Sequence, residues 1–213
     1  SMANKEPYVF EKNLAHVKKW SDYLGGDRDR LFLWEYGEWP VMNGVTPPLI
    51  CPFAMQKWLQ AVRPYVSGVF FEWYDPPEYS LMPRLWARLL WDPDLDVAAE
   101  IADVCRRLYG PAGETMTAFY RRLIERYEMP WANAELVWGQ FYLTPDLYYG
   151  QSLPPAEIER LAALLERARR EVGLPAVVEA KVQHGSAVHL TNSEKANVSV
   201  RIALTALEHE LVN

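Results

Sequence analysis

The sequence predicts an α/β unit followed by a mainly α-helical domain, helical overall. Three observations predict it. Two short apolar runs, Leu31-Phe32-Leu33-Trp34-Glu35-Tyr36 and Ser67-Gly68-Val69-Phe70-Phe71-Glu72-Trp73, are rich in aromatics and too short for helices, so each reads as a buried strand. Between them, Phe53, Met55, Trp58, Leu59 and Val62 follow a helical period that opens on Pro52. After Asp75-Pro76-Pro77, four further segments carry the helical period with no strand between them.

The elements follow in order. Phe10, Leu14, Val17 and Trp20 lie at helical spacing, which predicts an amphipathic helix over residues 8–24, and Gly25-Gly26-Asp27 ends it. The first strand occupies 31–36. Residues 37–51 hold Gly37, Pro40, Asn43, Gly44, Pro47 and Pro48, a long loop of the kind that often carries function. Strand, loop, helix and second strand make a βαβ unit, with parallel strands joined by a crossover. Helices are expected over 80–91, 96–109, 112–128 and 155–172. Asp94 or Asp96 caps the second of these, and Gly110-Pro111 separates the second from the third. Pro154-Pro155 opens the fourth and Gly173 closes it. Residues 131–150 read as irregular or partly helical. In 176–213, residues 177–190 have strand character around His184-Gly185-Ser186, and 194–211 have helical spacing.

Length and composition bound the function. A chain of 213 residues, half of them hydrophobic, has room for one large domain or two small ones. A net charge of -6 disfavours nucleic acid, whose phosphates this surface would repel. Two distant cysteines, Cys51 and Cys105, form neither a disulfide framework nor a zinc spacing, which slightly favours a cytoplasmic setting. No apolar run reaches the roughly 20 residues of a membrane helix, so no membrane partner is expected. Nine Trp and twelve Tyr point to a rigid core, an aromatic-lined ligand site, or both.

Glu35 and Glu72 are the candidate catalytic residues. Each stands at the C-terminal end of an expected parallel strand, where such sheets bind ligands. With neighbouring strands about 4.8 Å apart, the two carboxylates fall within about 10 Å if both face one mouth. That range includes the roughly 5–9.5 Å separations of glycosidase carboxylate pairs. The alternative is structural: both are strand-end acids paired to arginines such as Arg28, Arg30, Arg84 or Arg88. Trp39, Trp73, Tyr74 and Tyr36 are the candidate substrate-binding residues, because a pyranose offers apolar faces that suit aromatic rings. For Trp34 a core position is preferred. His16, His184, His189 and His209 lack helical metal spacing, and no cofactor motif is present; neither metal nor cofactor is expected. Asp92, Asp94 and Asp96 read as turn and cap residues, since the glycine and distal glutamate of a calcium loop are missing.

Four stretches together carry a family resemblance: Trp34-Glu35-Tyr36, Gly68-Val69-Phe70-Phe71-Glu72, Arg88-Leu89-Leu90-Trp91-Asp92-Pro93-Asp94-Leu95-Asp96 and Leu108-Tyr109-Gly110-Pro111-Ala112. Over about residues 10–130 the chain resembles the domain-of-unknown-function 4838 family of bacterial proteins, which is similar to the α-glucuronidase group of glycoside hydrolases. The resemblance implies that residues 1–77 are the C-terminal βαβ portion of a (β/α)-barrel, 78–175 a helical domain and 176–213 an extension. It also implies late-strand carboxylates that activate water, matching Glu35 and Glu72, with the acid on an earlier strand. The family often has Asp where this chain has Glu35. A whole barrel takes about 250 residues, so an upstream barrel portion is expected, and the piece alone is expected to be inactive. The implied function is carbohydrate-active and glycoside hydrolase-like. The alternative is a non-catalytic carbohydrate-binding or structural module. Two strands leave edges and a face to cover, so association with a second copy is a further expectation.

Overall fold

The structure, a computed structural model, describes residues 7–36, 51–72, 81–129 and 150–174. It is mainly helical, with one two-stranded sheet among these residues. The elements are α1 (Pro7–Tyr23), β1 (Phe32–Tyr36), α2 (Pro52–Val62), β2 (Gly68–Glu72), α3 (Leu81–Trp91), α4 (Val97–Tyr109), α5 (Gly113–Glu128) and α6 (Pro155–Glu171). Short 3-10 turns occupy Arg28–Arg30 and Gly110–Ala112.

The helix ends follow from local chemistry. After α1, Gly25 takes φ 72°, and the amides of Gly25 and Gly26 donate to the carbonyls of Asp22 and Ser21 at 3.0 and 2.8 Å. That left-handed ending suits glycine, which has no Cβ to clash. Gly173, at φ 78°, ends α6 in the same way, with Leu174 N–H donating to the Arg169 carbonyl at 2.9 Å. Of the two aspartates expected to cap α4, Asp96 does so, accepting from Ala99 N–H at 2.9 Å. Asp92 accepts from Asp94 N–H at 3.0 Å and shapes the turn before it.

β1 and β2 pair in parallel, as a βαβ connection requires, and Ser67 N–H extends the ladder to the Leu31 carbonyl at 3.0 Å. One sheet face packs on α1 and α2. There Phe10, Val17, Trp58, Val62 and Val66 are buried against Leu31, Leu33 and Val69. The larger core lies among α3, α4, α5 and α6, around Leu85, Ile101, Met116, Phe119, Leu123, Leu161 and Leu165. α2 serves both cores, giving Trp58 and Val62 to the sheet and Met55 and Leu59 to the helices.

Polar contacts hold α2 at both ends. Cys51 supplies no side-chain cap and Pro52 brings no N–H. The next amides, of Phe53 and Ala54, donate to Glu128 Oε1 at the end of α5, at 2.7 and 3.0 Å. A carboxylate there meets both the open donors and the positive end of the helix. Further along, Gln56 donates to the carbonyls of Pro93 and Leu95 at 3.0 and 2.6 Å, and Arg63 pairs with Asp94 at 2.8 Å. The 92–96 turn therefore also holds α2 against the helical layer.

Two expectations need correction. Each strand was expected to be buried, with edges and a face of the pair left to cover. Instead Phe32, Trp34 and Phe70 are 66%, 64% and 57% exposed. Trp34 was expected in the core and is on this exposed face. Among the described residues the sheet has two strands, the βαβ unit that was expected. The long loop expected after β1, the irregular segment expected over 131–149 and the strand- and helix-like stretches expected in 176–213 lie outside the described residues.

Candidate functional site

Parallel register decides which strand residues share a face. Glu35 pairs with Phe71, and Tyr36 pairs with Glu72. Partners across a parallel ladder share a face, and successive positions alternate. Positions 35 and 72 therefore fall on opposite faces. Tyr36 and Glu72 are register partners at the strand ends. Of Tyr36 and Glu72 the backbone alone is described. Trp39, Trp73 and Tyr74 lie outside the described residues.

Glu35 follows Leu31 and Leu33 onto the helix-covered face, where it is buried. Its Oε1 accepts from Trp58 Nε1 at 2.6 Å. The indole is itself buried and meets Phe10 edge to face, ring centroids 5.7 Å apart, while the Lys57 ammonium lies 4.6 Å from the Phe10 ring centre. A buried indole N–H needs an acceptor, and a buried carboxylate needs donors. The two meet each other's need and tie the end of β1 to the middle of α2. The arginines considered as partners go elsewhere. Arg84 and Arg88 approach Glu100 of α4 at 3.7 and 3.5 Å, and Arg28 and Arg30 are exposed in their turn.

On the other face, Trp34 and Phe70 are register partners whose rings meet edge to face, 5.2 Å between centroids. Phe32 pairs with Gly68. A Cβ on Gly68 would come 2.8 Å from the Phe32 ring, so the ring lies against the bare backbone of β2. Sequence reasoning missed this cluster. The signal was there: even-numbered positions 32, 34 and 70 are aromatic while 31, 33 and 69 are aliphatic.

A second concavity, about 820 Å³, runs along α4 and α5 beside the Gly110–Ala112 turn. Ala102, Gly113 and Ala118 line it together with Arg106, Arg121 and Arg122. Arg106 is paired to Asp103. Arg122 reaches Glu157 at 2.7 Å and Glu125 at 3.0 Å. The Arg122 hydrogen bond holds the Glu157 carboxyl below its ordinary range against the opposing effect of burial, and Glu157 in turn raises Arg122. The Arg122–Glu157 pair fastens α5 to α6 beside this groove.

Among the described residues no group of three or more His, Cys, Asp or Glu could hold a metal ion. No helix there is long and apolar enough to cross a membrane. No family model matches the chain, and neither does any curated protein or solved structure.

Proposed function

We propose that this chain is part of a carbohydrate-active, glycoside hydrolase-like protein, α-glucuronidase-like in kind, whose sugar site lies at the C-terminal ends of β1 and β2. One observation carries this: two parallel strands end side by side, in register, at Tyr36 and Glu72. Ligands collect at such ends because side chains and loops converge there without blocking the sheet. Glu72, at the end of β2, is the candidate base that activates water. Glu35, engaged by Trp58, is the support that fixes the end of β1. Trp39, Trp73, Tyr74 and Tyr36 are the candidate sugar contacts. The acid comes from a barrel portion beyond these two strands.

The test uses the product of the complete reading frame. Hydrolysis of aryl glucuronides and glucuronosyl oligosaccharides is measured with and without Glu72→Gln. A base lost to glutamine lowers kcat by roughly 10²–10⁴-fold. Equal rates, or no hydrolysis by the unaltered protein, overturn the catalytic proposal. A second function, a sugar-binding module without catalysis, is favoured by the Trp58 hydrogen bond to Glu35. That bond commits the Glu35 carboxylate to holding β1 in place, a structural task.

A further inference from the structure

We infer that Glu128, at the end of α5, is a positioning residue for the strand-end site: it sets α2 and, through Trp58 and Glu35, the end of β1 beside β2. This rests on the strand ends being the site and names what holds them in place.

Hydrogen bonds and the ladder make one path across the molecule. Glu128 Oε1 accepts from Phe53 N–H and Ala54 N–H at 2.7 and 3.0 Å. Ala54 and Trp58 are four residues apart in α2, so in the helical pattern the Ala54 carbonyl accepts from the Trp58 amide. Glu128 therefore closes the same turn from which Trp58 hangs. The buried Trp58 indole donates to the buried Glu35 carboxylate at 2.6 Å. Glu35 pairs with Phe71 in the ladder and is followed by Tyr36, the partner of Glu72. The helical layer thus reaches the paired strand ends through one short helix.

That helix has little hold of its own where the path enters. It has 11 residues, Pro52 in its first turn and no side-chain cap from Cys51. A helix of this length is marginal without outside support. Its open amides and positive end meet a carboxylate carried by another element. Packing does not supply the same setting. Met55 and Leu59 seat α2 on the helical core, and Gln56 and Arg63 tie it to the 92–96 turn. Those contacts keep the helix in place when Glu128 is lost, so a variant is expected to fold. Apolar contacts have no direction and tolerate a small slide. A hydrogen bond of 2.6 Å does not, since a stretch of about 1 Å breaks it. A misplacement of about 1 Å, caused far from the chemistry, can cost about 100-fold in rate.

The experiment joins NMR of this chain to kinetics of the complete gene product. The Trp58 indole N–H signal, assigned by its disappearance in Trp58→Phe, reports the bond to Glu35. Hydrogen exchange of the backbone amides of β1 and β2 reports the strand pair. Glu128→Ala is expected to move the indole proton upfield and to speed exchange in the ladder roughly tenfold. Glu128→Gln keeps an oxygen that accepts from both amides and is expected to restore both signals. In the gene product, Glu128→Ala is expected to lower kcat on aryl glucuronides roughly tenfold, with KM changed less than about twofold and Glu128→Gln near the unaltered rate. Far-ultraviolet circular dichroism checks folding. Should Glu128→Ala not fold, Gln56→Ala loosens the next residues of the same helix and is read in the same way. Signals unmoved by the alanine variant, or not restored by glutamine, overturn the inference. Signals that move while kcat holds overturn the positioning role. An unaltered gene product without hydrolysis removes the carbohydrate proposal, and the two NMR signals then decide the path by themselves.

Discussion

The helical layer α3–α6 and the βαβ unit treat their apolar surface in opposite ways. In the helical layer many of the large side chains are enclosed, Tyr109, Tyr120, Tyr127, Phe119 and Leu85 among them, although Trp91 at the end of α3 is exposed. Some of its polar groups pair with one another. The hydroxyls of Tyr109 and Tyr120 meet at 2.8 Å, and Arg122 and Arg160 converge on Glu157. In the βαβ unit one sheet face is packed while the other presents three aromatic rings to solvent. The difference teaches where to look for function. A packed layer serves as frame, and an exposed apolar patch is the place to test for a partner.

The contrast is broken most directly in the helical core. Phe119 sits on α5 with its ring edge to face against Tyr120, 5.3 Å between centroids, and is fully enclosed. Phe119→Ala removes that ring from a layer with no slack. We expect a loss of about 3–5 kcal/mol in unfolding free energy, measured by urea denaturation. A loss below about 1 kcal/mol would mean the layer relaxes around the gap, and the scaffold description would fail.

A smaller effect comes from the α5–α6 ion pairs. Glu157 is buried and its carboxyl is held below the ordinary value of 4.5, first by its hydrogen bond from Arg122. The folded state therefore binds this proton more weakly than the unfolded state. The stabilisation is present in full above about pH 4.5 and is lost as the pH falls through the lower folded value. Glu157→Gln is expected to be less stable at pH 7 by about 1–3 kcal/mol, short of a fully buried pair because Arg122 is partly exposed. The gap between the two proteins should close as the pH falls below 4.5. Denaturant midpoints of both proteins from pH 7 to pH 3 give the comparison, and parallel curves would exclude Glu157 as the group concerned.

How much of this was legible in the sequence depends on the range of the signal. Helix ends were legible because their causes are local. Pro52, Gly25-Gly26, Asp96, Gly110-Pro111, Pro155 and Gly173 each act within a turn of where they stand. The parallel βαβ pairing was legible for the same reason, from two apolar runs around one helical period. Three things were not. Glu128 caps α2 from 75 residues away, and Asp94 meets Arg63 across 31; neither has a local signature. The face of Glu35 was hidden because β1 is apolar at successive positions, so alternation could not be read from hydrophobicity alone. The register of β1 on β2 settles it, and register arises between elements.

The smallest expected effect sharpens the contrast most. Phe70 is a large aromatic in mid-strand, a position where truncation usually harms a protein. If its face is a meeting surface and not a core, Phe70→Ser removes ring area that was already 57% exposed and costs little on folding. The Trp34 ring, its edge-to-face neighbour, loses one contact worth about 0.5–1.5 kcal/mol at most. We expect a change in unfolding free energy below about 1 kcal/mol, several-fold smaller than that of Phe119→Ala in the same buffer. Solubility at high concentration should rise, since the substitution divides an exposed apolar patch. A loss as large as that of Phe119→Ala would make the two faces of the sheet energetically alike. The aromatic rings would then be core residues, and the division between scaffold and meeting surface would have to be drawn elsewhere.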